Sequence, residues 1–266
     1  MPIEIAAHFS LYLPDPGDLL LQFEAATIPE QRILSAETIV SPDAAYARVP
    51  AQDAIGERIW LRAQGPMAVS YRATVEIVRQ LADIPALERL PMHLLPGETV
   101  QYLLPSLYCP SIRFQNFADA EFGSTQGGAR IEAIRRWISE RFTYEPGSSN
   151  AMTSALDSIV ERRGICRDYA HVLVTLARAS GIPARYVSVY ATGVEPPDFH
   201  AVAEVFLADT QGESGAWHLV DATGMAAAGG MAKIGVGRDA ADVSFITCFS
   251  DCQFENSTVS VKTVDG

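Results

Sequence analysis

No apolar run in this 266-residue chain approaches the roughly 18 residues that a membrane-spanning helix needs. Its first residues, Met1-Pro2-Ile3-Glu4-Ile5-Ala6, lack the basic stretch followed by an apolar one that marks a secretory leader. Positive charge is in short supply: 20 Lys and Arg stand against 32 Asp and Glu, a formal net charge of −12. Such a surface repels phosphate backbones and anionic lipid, so neither nucleic acid nor a membrane is expected as a partner. Cysteine is scarce too. Cys109, Cys166, Cys248 and Cys252 come without a leader, and the expectation is a cytoplasmic protein with reduced thiols. Cys248 and Cys252 are four apart but have no nearby His to complete a metal site, and no paired-His motif occurs. Gly235-x-Gly237 is not followed by a strand–helix unit and is no nucleotide fingerprint. Repeats, low-complexity tracts and heptads are absent. Neither a cofactor nor a metal is implied.

What remains is an ordinary globular composition, 48% hydrophobic and 20% charged, long enough for two modest domains. Up to about residue 80 the pattern is β. His8 to Leu13 alternates, Pro14-Asp15-Pro16-Gly17 reads as a turn, and Leu19, Leu21 and Phe23 share one face. Ile59 and Leu61 precede a second turn at Gln64-Gly65-Pro66. Val69, Tyr71, Ala73, Val75 and Ile77 then alternate. Short strands with Pro/Gly punctuation suggest a sandwich or small barrel. Pro91, Pro96, Pro105 and Pro110 forbid a long helix and mark a connection, so a domain boundary is expected near residue 105. Beyond it, Ile131, Ile134, Trp137, Ile138 and Phe142 follow the helical period across Ala129–Phe142. A turn-rich loop, 143–150, leads to a short helix over about 153–162, capped by Thr153 or Ser154 with Asp157 reaching back. Ala184 to Tyr190 reads as a core strand, and 243–249 and 258–264 as closing strands.

One stretch carries chemistry. Gly164 permits a sharp turn, after which Cys166 opens a helical run with Tyr169, Leu173, Leu176, Ala177 and Ser180 on one face. Gly181 and Pro183 end it. At a helix N-terminus the free amides and the helix dipole favour an anion, hence a thiolate. A lone buried cysteine is more often mere packing, so a partner His is required. His200 to Leu207 and Ala216 to Asp221 both alternate, with a polar turn over 208–215 between them. An antiparallel hairpin would bring His200 beside Asp221 within a register error of about two residues. A carboxylate there fixes the His tautomer and supports the imidazolium, and the His can deprotonate a thiol.

The remaining candidates read as structural. His171 lies five residues after Cys166, roughly 140° away round the helix, too far to act as its base. A backbone-bonding role suits it better. Asp168 complements the helix dipole, and His8 and His93 read as surface residues. His218 faces away from Asp221.

Gly164-Ile165-Cys166-Arg167-Asp168-Tyr169-Ala170-His171, the segment Gly181 to Val187, Asp198-Phe199-His200-Ala201-Val202 and Asp221-Ala222-Thr223 closely resemble the bacterial transglutaminase-like superfamily. Residues 103–110 and 237–243 resemble flanking segments of a bacterial subgroup with an extra N-terminal β domain. The resemblance implies an α+β fold: an all-β, sandwich-like domain over 1–105 and a papain-like catalytic domain over 106–266. It implies a Cys166–His200–Asp221 triad and a thiol enzyme acting on peptide, protein or small amide substrates through an acyl-enzyme. A cysteine protease or amidase is the leading expectation. A transglutaminase, or a non-catalytic binding module that keeps the fold, is the alternative. Val202 stands where many members have Trp, and Ala222 where many have Pro. The resemblance further implies that Arg238, Asp239 and Asp242 order a loop near the site, and that Tyr144 and the loop after it border the cleft. No Asp-x-Asp-x-Asp-Gly loop is present, so calcium dependence is not implied.

Overall fold

The computed structural model describes residues 2–42, 45–208 and 214–264. The turn expected at 208–215 falls mostly outside them. Two long strands, β1 (Pro2–Leu21) and β4 (Glu57–Ile77), organise the first half and pair antiparallel along their length. Neither expected turn reverses the chain. Pro14, Asp15 and Pro16 bulge out between the pairs Leu13–Gly65 and Gly17–Ala63, opposite Gln64. Pro14, Pro16 and Pro66 donate no amide hydrogen, so the ladder weakens on both strands at one level and both continue past it. Gly65 takes the positive φ, 77°, that the bend requires.

Beyond the bulge the strands exchange neighbours. At one end the order is β12 (Gln253–Thr263), β1, β4, β2 (Gln31–Ser41); at the other it is β11 (Ile246–Cys248), β1, β4, β3 (Tyr46–Pro50). Alternation of Ile3, Ile5, Ala7, Phe9, Leu11 and Leu13 puts one face of this six-stranded sheet into a single apolar cluster. The chain's last strands thus rejoin its first, and a cut near residue 105 does not divide sheet from sheet. Cys248 and Cys252 are disulfide-bonded across the link between β11 and β12, which corrects the expectation of four reduced thiols.

The second sheet runs β10 (Met231–Gly237), β7 (Ala184–Ala191), β8 (His200–Ala208), β9 (Gly215–Val220), all antiparallel. Helix α4 (Cys166–Ala179) lies against β7 and β8, and α1 (Gln115–Phe122), α2 (Gly127–Arg141) and α3 (Ala155–Glu161) pack around it. The α2 stripe Ile131, Ile134, Trp137 and Ile138 is buried as its spacing requires. Ser154 is the α3 cap: Asp157 accepts its amide hydrogen at 2.8 Å. Strand β10 escapes the sequence pattern because it is buried on both faces and bulged between Lys233 and Gly235, so its alternation is lost.

An ionic cluster ties the second sheet to connecting segments of the first. Glu204 of β8 is fully buried and accepts hydrogen bonds from Lys233 of β10 and Arg185 of β7. Lys233 also reaches Glu30, and Arg185 reaches Asp53 at 3.0 Å. Burial alone would keep the Glu204 carboxyl protonated, but the two cations hold its pKa down at about 2.

Candidate active site

Helix α4 begins at Cys166 because the chain is delivered there by a small parallel ladder. Arg162 ends α3 with a left-handed φ of 59°. Strand β6 (Arg163–Gly164) then pairs with β5 (Thr143–Tyr144), setting Tyr144 opposite Gly164. The buried Asp168 carboxylate turns back to accept the Ile165 amide hydrogen at 2.9 Å, satisfying a donor that the helix leaves free. Gly164 serves this close approach rather than the sharp turn expected of it. A Cβ there would lie 2.6 Å from the Asp168 Cβ. Arg167 donates to the carbonyls of Asn150 and Thr153 and lies over the Tyr108 ring at 4.6 Å, tying the 147–153 loop to the helix start.

The hairpin of β8 and β9 forms with Ala203 opposite Val220, so Asp221 leaves the strand end level with the start of β8. Asp221 Oδ2 lies 3.1 Å from His200 Nε2 and also accepts the Ala226 amide hydrogen at 3.0 Å. Oδ1 accepts from the amide and hydroxyl of Thr223. Burial raises the cost of this charge, but the His200 and Thr223 bonds and the Ala226 amide outweigh it and hold the carboxyl ionised. His200 is 2% exposed. Burial disfavours its charged form, yet the bond to Asp221 and the neighbouring Cys166 thiol prevail and raise its pKa to about 9. With Nε2 taken by Asp221, Nδ1 is the free nitrogen: it is buried and has no regular hydrogen bond among the described residues.

Cys166, half-buried, and His200 line one cleft of about 880 Å³. Tyr144 borders it beside Cys166; burial and the cysteine's charge push its phenol up to about 12, so the hydroxyl keeps its proton at neutral pH. Cys109 is different. It is fully buried, and burial pushes its thiol up to about 12, which makes it a packing residue. His171 is buried and neutral, disfavoured as a cation by burial and by Arg167 and Arg178. Its Nε2 accepts the Ala240 amide hydrogen at 3.1 Å, and its ring lies between Tyr108 and Tyr186. That bond fixes the 238–245 segment, which Arg238–Asp242 pairing and the buried Asp239 also hold; Asp239 accepts the Tyr108 amide hydrogen. His8 and His93 are exposed and lie outside the cleft, as does His218.

The far wall of the cleft is unforeseen. Phe245 comes from the link into β11, Ile246 from β11 itself and Phe254 from β12, strands of the other sheet. No local pattern marks a residue that reaches a site through a distant strand pairing.

Comparison with known proteins follows the same outline. The sequence profile of the transglutaminase-like superfamily matches residues 117–222, from α1 to the residue after Asp221. A crystal structure described as a "putative cysteine protease" from Cytophaga hutchinsonii superposes with a TM-score of 0.90 at 32% identity, covering 100% of this chain and 91% of that one. An uncharacterized protein of Mycobacterium leprae is 32% identical over 119 residues, 43% of this chain and 42% of its own length. One from Mycobacterium tuberculosis is 31% identical over 131 residues, 46% of this chain and 41% of its own. The matched region spans less than half of these two curated relatives. Since the likeness to the Cytophaga protein runs through both sheets, and the profile takes in the segments carrying Cys166, His200 and Asp221, this chain belongs to the transglutaminase-like superfamily.

Proposed function

We propose that the protein is a thiol hydrolase that cleaves peptide or amide bonds through an acyl-enzyme on Cys166. The observation that carries this reading is the buried His200–Asp221 pair, 3.1 Å apart, opening onto the cleft that Cys166 also lines. Cys166 sulfur, as thiolate, attacks the carbonyl carbon. Its position at the α4 N-terminus places a free backbone amide beside the carbonyl oxygen as it becomes anionic. The protonated Tyr144 hydroxyl stands next to it as a second donor. His200 carries a proton at neutral pH, held by Asp221, and delivers it to the leaving nitrogen as the C–N bond breaks. Water then enters, His200 takes a proton from it, and the carboxylic acid leaves with Cys166 restored.

The name of the Cytophaga relative supports hydrolysis over transfer to an amine. The test is alkylation of Cys166 by a limiting amount of iodoacetamide across pH, with Cys166→Ser as control. The expected result is labelling at pH 6 well above the rate of a free cysteine; labelling no faster than that sinks the activated nucleophile. Glutamine-containing peptides, incubated with and without an added amine, then separate free acid from amine adduct by mass.

A further inference from the structure

One side of the cleft is built of rings. Phe199, directly before His200, stacks on Phe245 with ring centres 4.8 Å apart and planes 21° from parallel. Phe245 in turn meets Phe254 edge-on at 5.7 Å. Behind it, Phe245 rests on the fully buried Phe9 at 5.9 Å, so the shelf is anchored in the core of the six-stranded sheet. Phe254 nevertheless remains 50% exposed, on the cleft wall. Rings of this size are ordinarily buried, and a contiguous group facing a cleft beside a reactive thiol marks a place for an apolar group. Charge is sparse here. Among the described residues that line the cleft, the charged side chains besides the His200 of the reactive site are Arg167 and Asp198. Arg167 is spent on the Asn150 and Thr153 carbonyls, away from the shelf. Asp198 adjoins Phe199 and accepts that residue's amide hydrogen at 2.8 Å.

We propose that this shelf is the subsite for a large apolar, preferably aromatic, side chain carried on the amine side of the scissile bond. The assignment of side rests on the reaction proposed above. His200 hands its proton to the leaving nitrogen, so that nitrogen sits on the imidazole side, and the chain continuing from it runs past Phe199. Two elements build the recognition: the loop entering β8 supplies Phe199, and the β11–β12 region supplies Phe245 and Phe254. The six-stranded sheet therefore takes part in choosing substrate as well as in holding the fold. Asp198, at the lip, disfavours an acidic residue at the same position.

The probes are amine-side products: phenylalaninamide, glycinamide and the α-amide of aspartic acid. Each is tested for protection of Cys166 against iodoacetamide in the full-length protein. Phenylalaninamide is expected to give half-protection at a concentration about tenfold or more below glycinamide, as a ring-sized apolar contact implies. The aspartic amide should protect least. Phe254→Ala should bring phenylalaninamide to the level of glycinamide, and Phe254→Leu should keep part of the preference. Equal protection by phenylalaninamide and glycinamide overturns the assignment, as does a preference that survives Phe254→Ala. The pH profile of the same alkylation without a probe judges the nucleophile separately. A thiol no faster than free cysteine rejects the reaction, while the protection pattern still decides whether the shelf binds a ring.

Discussion

Replacing Asp221 by Asn keeps the shape of the pair while removing its charge, and the consequence can be worked from the geometry. In the wild type the His200 pKa lies at about 9, because the Asp221 carboxylate and the Cys166 thiol outweigh the burial that opposes a cation. In Asp221→Asn the burial and the Cys166 contribution stay while the Asp221 charge and its bond go, so the ring should titrate clearly below 9. Each pH unit of that fall corresponds to roughly 1.4 kcal/mol of lost preference for the imidazolium. The measurement is an NMR titration of the imidazole resonances, with His200 assigned from a His200→Asn sample. It needs no substrate. The wild-type midpoint should lie near 9 and the variant's at least about one unit lower. Stability follows with a definite sign. Because the folded chain binds this proton more tightly than the unfolded chain, the contribution is full below pH 6.5 and vanishes as pH rises through about 9. The variant should keep only the smaller share that Cys166 supplies. A His200 midpoint unchanged by the substitution would refute the pairing and, with it, the role assigned to Asp221.

Two further substitutions probe how the site is held. Gly164→Ala sets a methyl 2.6 Å from the Asp168 Cβ and 2.8 Å from its Oδ2, so either the cap on the Ile165 amide or the β5–β6 ladder must yield. A cost of about 1–3 kcal/mol is expected, seen as a lower melting temperature together with slower alkylation of Cys166; if neither changes, Gly164 has no such steric role. Glu204→Gln leaves the buried Lys233 and Arg185 facing a neutral amide. Removing one partner of a buried ionic group costs about 3–5 kcal/mol, to be read by urea denaturation at neutral pH. A loss below about 1 kcal/mol would mean that the cluster stabilises the fold less than its geometry implies.

Much of the site was written into short stretches of sequence. A helix start at Cys166, a hairpin carrying His200 to Asp221 and a buried, backbone-bonding His171 all depend on residues close together along the chain. Periodicity and local pairing therefore suffice to place them. Elsewhere local signals misled. Pro14 to Gly17 and Gln64 to Pro66 carry good turn chemistry, yet they lie opposite one another and become a shared bulge, because the pairing of β1 with β4 on both sides outweighs each local preference for reversal. What only the tertiary structure decided is the far wall of the cleft, the Cys248–Cys252 bond and the union of the last strands with the first. Side-chain spacing tells a strand which face to bury; it does not name the partner strand. When that partner lies at the other end of the chain, as Asn256 does for Ser10, the register comes from the packing of the whole molecule.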